Sequence, residues 1–198
     1  MTPIEEFLRD IDRAWTMDPA ERVDLRLIGC GALMLQANYE RGTKDSDVFE
    51  TTSLTAAIKA ELLRIAGRDT ALYARHHLYV DIVGSGVPFL PAPARWHPLT
   101  RLNAELRRLE FHVLDVVDVI VSKLKRFHGN DRSDIDAMIQ LGRVPHEQLV
   151  ERFRSAFTEF TYDARAAHLP TYVEHLNQVE RDMLGVDETP FDMSNVRY

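Results

Sequence analysis

The sequence predicts an α/β (α+β) chain in which a small mixed-sheet lobe over residues 1–115 is followed by a helical lobe and tail over residues 116–198. Three observations carry this reading. Val23, Leu25 and Leu27 alternate with Asp24 and Arg26 and run into Gly29, the pattern of a half-buried strand that ends in a turn. Leu78 to Val83 is almost continuously apolar, as expected of a central strand covered on both faces. From Val116 to about Leu184 the apolar residues recur at helical spacing.

The elements follow in order. Thr2-Pro3-Ile4-Glu5 reads as a helix start, with threonine as cap, proline in the first turn and glutamate three residues on. Ile4, Phe7, Leu8, Ile11 and Trp15 then share one helical face, and Asp18-Pro19 stops the helix. After the strand at Val23, Ala32 to Ala37 is helix-forming and Asp45 to Phe49 is a short strand. Leu54 to Ala66 is a helix capped by Thr52 or Ser53, with Gly67 past its end. The segment Gly84 to Pro98 has two glycines and four prolines and reads as a loop or lid. Leu109 to Leu114 is another strand. In the second half, Val116, Val119, Ile120, Leu124 and Phe127 form one stripe and Ile135, Met138, Ile139 and Leu141 a second, ended by Gly142. Two more helices are expected over Pro145–Phe160 and Ala164–Leu184, and Asp187 to Tyr198 as a loose tail.

With 198 residues, 45% of them hydrophobic and 28% charged, the chain has the composition of a soluble globular protein. Its single cysteine, Cys30, excludes an internal disulfide and a multi-cysteine zinc site and fits a reducing cytoplasm. The acidic start lacks the features of a leader peptide, and no apolar run is long enough to span a bilayer. A net charge of -7 opposes wholesale nucleic-acid binding but leaves room for a basic face from Arg101, Arg107, Arg108, Lys123, Lys125 and Arg126; on charge alone that run also reads as solvated surface.

The chemistry-bearing residues fall in the first lobe. Gly29-Cys30-Gly31 joins a strand to a helix; glycines let the backbone approach a phosphate, and a helix N-terminus favours its charge. The same glycines also suit a plain tight turn. In Arg41-Gly42-Thr43-Lys44-Asp45-Ser46-Asp47, two aspartates one residue apart on a strand point to the same face. They would repel each other unless a cation such as magnesium (or manganese) lay between them, whereas in a loop the same pair is only polar surface. Asp81 lies inside the apolar run Leu78 to Val83, where a buried carboxylate needs a partner or a metal, unless it caps the next loop. Were its strand to lie beside that of Asp45 and Asp47, three carboxylates would converge as in a two-metal site.

The run Gly29-Cys30-Gly31-Ala32 followed by Arg41-x-Thr43-x-Asp45-x-Asp47 resembles the polymerase-beta-type nucleotidyltransferases, in particular the AbiEii-like bacterial enzymes that include toxins of toxin–antitoxin systems. Asp118 to Arg126, with Lys123, and Asn130 to Ile135 resemble the same group's lysine helix and following acidic segment. The resemblance covers about residues 23 to 141. It implies a nucleotidyltransferase lobe that takes ATP or another NTP and transfers its nucleoside monophosphate to a hydroxyl of a tRNA 3′ end, a protein or a small molecule, with an antitoxin as possible partner. It implies that Asp45 and Asp47 bind the metal and serve catalysis; Asp81, read from its strand as the third carboxylate, would join them as base or second metal ligand. It also implies that Gly29 and Cys30 contact the triphosphate through the backbone, that Arg41 and Thr43 shape the turn before the metal strand, that Lys123 contacts phosphate or lies near the nucleotide, and that Asp131 and Asp134 support the site or a basic neighbour; Gly31, Thr43 and Arg126 are counted with the nucleotide-binding residues. The chain departs from the pattern at Cys30, where serine or glycine is common, at Ser46, which turns a polar group to the packed side, and at Asn130, which replaces a basic residue.

Other candidates carry less. His76-His77 reads as a polar strand entry rather than a metal site, and His128 as a helix end. Cys30 has no identifiable base partner for nucleophilic chemistry. Trp96 could stack on a base or anchor its loop, and Phe153, Phe157 and Phe160 are spaced as core. Two rival functions stand beside transfer: an inactive binding module of the same fold, and a small-molecule (antibiotic) nucleotidyltransferase with an acidic acceptor pocket.

Overall fold

The computed structural model of the chain describes residues 2–17, 22–37, 39, 42 and 44–194. It divides into two compact units: Met1–Val87 with Trp96–Leu114, and Pro88–Arg95 with Asp115–Tyr198.

The first unit holds a five-stranded sheet. Its strands are β1 (Val23–Ile28), β2 (Asp45–Phe49), β3 (Tyr79–Val83), β4 (Trp96–Pro98) and β5 (Leu109–Leu114), in the spatial order β3-β2-β1-β5-β4. β1 pairs parallel with β5 and antiparallel with β2; β2 pairs parallel with β3; β4 closes the other edge antiparallel to β5. Alternation sorts the faces. Val23, Leu25, Leu27, Ser46, Val48, Val80, Leu109, Phe111 and Val113 are all buried on one face. The other face carries Asp24, Arg26, Asp45, Asp47, Phe49, Asp81 and His112, all exposed or half-buried.

Helices cover the buried face. α1 (Pro3–Ala14) presents Ile4, Phe7, Leu8 and Ile11 to the core, and its start is a complete capping box between Thr2 and Glu5. α2 (Gly29–Ala37) packs across β1, β2 and β5. α3 (Ala56–Ala66) begins at Thr55, whose hydroxyl accepts from the Ile58 amide; Thr52 and Ser53 stand before the cap. α4 (Ala71–His76) and the short α5 (Thr100–Asn103) complete the unit.

Several expectations give way here. β3 is an edge strand, not a central one: Val80 is buried, but Tyr79, Ile82 and Val83 are half-buried, because only β2 pairs with it. His76 ends α4 and His77 caps it in the left-handed conformation, so neither enters a strand. His76 is held by Asp10 of α1 at 2.9 Å, a long-range partner that local sequence does not announce. The Gly84–Pro98 segment is not all loop, since Trp96–Pro98 pairs with β5. The Asp18-Pro19 stop lies outside the described residues.

The second unit is helical: α6 (Val116–Lys123), α7 (Gly129–Gln140), α8 (His146–Phe160) and α9 (Leu169–Gln178). A 3-10 turn (Ala166–His168) precedes α9 and a π-helical turn (Val179–Leu184) follows it, so the last expected helix is broken at both ends. Phe89, from the proline-rich segment, is fully buried against Phe153, Phe160 and Tyr172. The buried pair Arg152–Asp118 fixes the same segment: Arg152 donates to the Pro93 carbonyl and Asp118 accepts from the Arg95 amide. Residues 187–194 are not a loose tail throughout. Buried Glu180 binds the Thr189 amide and hydroxyl, and Phe191 packs on Phe153 and Phe157.

Candidate active site

The site begins at the end of β1. Ile28 pairs in register with Asp47 of β2, and Asp47 pairs in register with Asp81 of β3. Residues directly paired across strands point to the same face. Asp45 lies two residues before Asp47 and so shares that face too. The sheet therefore sets Asp47 and Asp81 side by side at about 4.8 Å between backbones, with Asp45 about 7 Å along β2. Asp81 is exposed, so the burial argument drawn from its apolar neighbours does not apply; its placement follows from β2–β3 pairing alone. One of its oxygens accepts from the Ile82 amide at 3.0 Å.

The three carboxylates act on a common neighbour. The Tyr79 hydroxyl is pushed above its ordinary pKa, first by burial and then by Asp45, Asp81 and Asp47, while the Arg68 guanidinium opposes them. Arg68 lies over the Tyr79 ring at 4.3 Å and donates to its hydroxyl at 2.7 Å.

Gly29 couples the turn to the acids. It has φ +67°, and a Cβ placed there would come within 2.6 Å of Asp47 Oδ2. Only glycine combines that backbone conformation with that approach. Gly29, half-buried Cys30 and buried Gly31 form the first turn of α2, whose leading N–H groups lack partners within the helix. Gly31 lies against Ile4 and Ser46, so α2 starts beside β2. Thr43 and Arg41 lie outside the described residues.

The other expected site residues belong to the helical unit. The Lys123 ammonium is buried, 3.0 Å from Asp131 Oδ1 and 2.7 Å from Asp134 Oδ2. Arg126 is at 3.6 Å from Asp131. Asp131 and Asp134 thus support a basic neighbour, and Lys123 is engaged by them.

Sequence reasoning missed the remaining polar groups of the open face. Asp24 bonds both His112 (2.7 Å) and Arg26 (3.0 Å). Arg26 lies over Trp96 at 5.2 Å, and Trp96 packs on Phe49 at 5.6 Å, two residues along β2 from Asp47. The outward alternation of Arg26 was a visible signal; the register that brings His112 and Trp96 beside it was not.

Among the described residues, no three His, Cys, Asp or Glu side chains are gathered tightly enough to hold a metal unaided. The donor chemistry nonetheless suits magnesium. Magnesium takes one or two carboxylates and completes its shell with water and substrate phosphate, rather than occupying an all-protein cage. Two cavities lie elsewhere, one between α1 and the α5–β5 turn and one beside α8. No described helix is long and apolar enough to cross a membrane.

A family model described as "Nucleotidyltransferase of unknown function (DUF6036)" matches residues 6–181. No curated protein and no solved structure matches the chain.

Proposed function

From the premise that the chain belongs to this family of nucleotidyltransferases (DUF6036), we propose that it transfers a nucleoside monophosphate from an NTP to an acceptor hydroxyl on the open face of its sheet, with Asp45, Asp47 and Asp81 at the reacting centre. The observation that carries the placement is the β2–β3 register, which sets Asp81 beside Asp47. Family membership supports nucleotidyl transfer itself; the roles below are argued from the geometry.

Asp45 and Asp47 would hold magnesium, or manganese, together with the triphosphate. When bound, the metal polarises phosphoryl oxygens and makes the attacking hydroxyl more acidic. The backbone of Gly29, Cys30 and Gly31 would donate to the triphosphate at the start of α2. Asp81, exposed at the edge strand beside Asp47, would accept the proton of the acceptor hydroxyl. That oxygen then bonds to the α-phosphorus as the bond to the β-phosphate oxygen breaks and pyrophosphate leaves. The Arg26–Trp96–Phe49 shelf begins two residues along β2 from Asp47 and offers a stacking surface to a base.

For the acceptor, a tRNA 3′ end or a protein side chain follows from the toxin-type resemblance, as does an antitoxin partner. The basic run supports the tRNA case less than its sequence count suggests: Arg101 is bonded to Glu5 at 3.0 Å and Arg126 lies near Asp131. The test is incubation with each α-labelled NTP and magnesium in the presence of tRNA and of a protein pool. Label transfer with pyrophosphate release, lost in Asp45→Asn, is expected; no transfer from any NTP to either pool overturns the proposal.

A further inference from the structure

A cavity of about 330 Å³ lies between the C-terminal half of α1 and the turn joining α5 to β5. Its walls hold four guanidinium groups, Arg9, Arg13, Arg107 and Arg108, and two carboxylates, Asp12 and Glu105, a surplus of two positive charges in a chain of net charge -7. Both carboxylates are already engaged. Asp12 accepts from the backbone amides of Arg107, Arg108 and Leu109. Glu105 takes the Nε and Nη2 of Arg9 at 2.8 and 3.2 Å.

The arginines have capacity left. Arg9 is 6% exposed, and its Nη1 is buried with no hydrogen-bond acceptor among the described residues. A buried guanidinium N–H without an acceptor is costly unless something supplies one. Arg107 is exposed and Arg108 half-buried, and neither guanidinium is ion-paired with a described carboxylate. Arg13 is 69% exposed and shares Asp10 with others. Clustered guanidiniums present several N–H donors in a fork that fits phosphate oxygens.

The cavity is separate from the acid cluster. Arg108 bonds Val23 at the first residue of β1, whereas Asp47 pairs with Ile28 at the last. Five strand steps put the two about 17 Å apart. We propose that this cavity binds a small molecule carrying a phosphate group, at a site distinct from the one that holds the transferred nucleotide. Its volume suits a mono- or diphosphate head rather than a polymer backbone.

The test uses inorganic pyrophosphate as probe, titrated by calorimetry in EDTA at about 150 mM salt, where the Debye length is about 8 Å, against full-length Asp45→Asn/Asp47→Asn protein, so that metal-dependent binding at the acid cluster does not contribute. One equivalent bound, weakened at least tenfold by Arg107→Ser/Arg108→Ser and less by Arg13→Gln, is expected; equal thermal midpoints show that the variants fold. No saturable binding, or binding unchanged by both variants, overturns the proposal. Tighter binding of a single-stranded RNA oligonucleotide at the same arginines would assign the surface to a nucleic-acid backbone and overturn it as well. Because the acid cluster is disabled throughout, failure here leaves the transfer reading untouched.

Discussion

Gly29 and Asp47 are coupled by contact. A methyl at position 29 would meet Asp47 Oδ2 at 2.6 Å, on a backbone at φ +67°. Gly29→Ala therefore displaces the carboxylate and forces alanine into a left-handed conformation, at a cost of about 1–2 kcal/mol. We expect loss of nucleotidyl transfer together with a lower urea midpoint. Retained transfer at wild-type rate would separate Gly29 from the site. Ser46 presents the opposite case. It is fully buried on the packed face, and its hydroxyl has no partner among the described residues. Ser46→Ala removes an unsatisfied polar group and should leave stability equal or raise it by about 1 kcal/mol, read by chemical denaturation. Both residues were legible in the sequence as types: a glycine after a strand, a serine between two outward aspartates. What the sequence did not contain was the distance from Gly29 to Asp47, which depends on antiparallel pairing of two strands separated by a helix.

At the scale of elements, local signals located most pieces and missed those fixed from afar. The capping box of α1 and the ends of β2 and β5 follow from adjacent residues. α4 and the edge position of β3 do not, because α4 is held through His76 and Asp10, and strand order is set by packing. Lys123 shows how a motif position can carry structural weight. Its ammonium lies between buried Asp131 and Asp134. Lys123→Ala leaves those carboxylates without their cation, and we expect a loss of about 3–5 kcal/mol in urea unfolding. A stability change near zero would mean that the lysine serves the nucleotide instead. Glu61 of α3 joins that helix to Thr16. Hydrogen bonds from Arg64 and then Thr16 hold its carboxyl at about 2 instead of 4.5, against the opposing effect of burial. A lowered pKa contributes stability that is present above pH 4.5 and is lost as pH falls toward 2. Between those values the thermal midpoint of wild type should fall more steeply than that of Glu61→Gln; parallel curves would remove Glu61 from the acid response.

For the molecule as a whole, the change of pattern at Val116 in the sequence lies next to the observed division after Leu114, while residues 88–95 join the helical unit through Phe89 and the Arg152–Asp118 pair. Proline content marked that segment as irregular but could not say which unit would bury its phenylalanine. The candidate site was legible as residue types and order, strand, glycine turn, helix and Asp-x-Asp, and Asp81 joined it only through sheet pairing. The most direct test of this account is calorimetric NTP binding with and without magnesium, comparing wild type with Asp45→Asn/Asp47→Asn. Magnesium-dependent binding to wild type, lost in the double variant, is expected. Binding that ignores magnesium, or that survives in the variant, would contradict it.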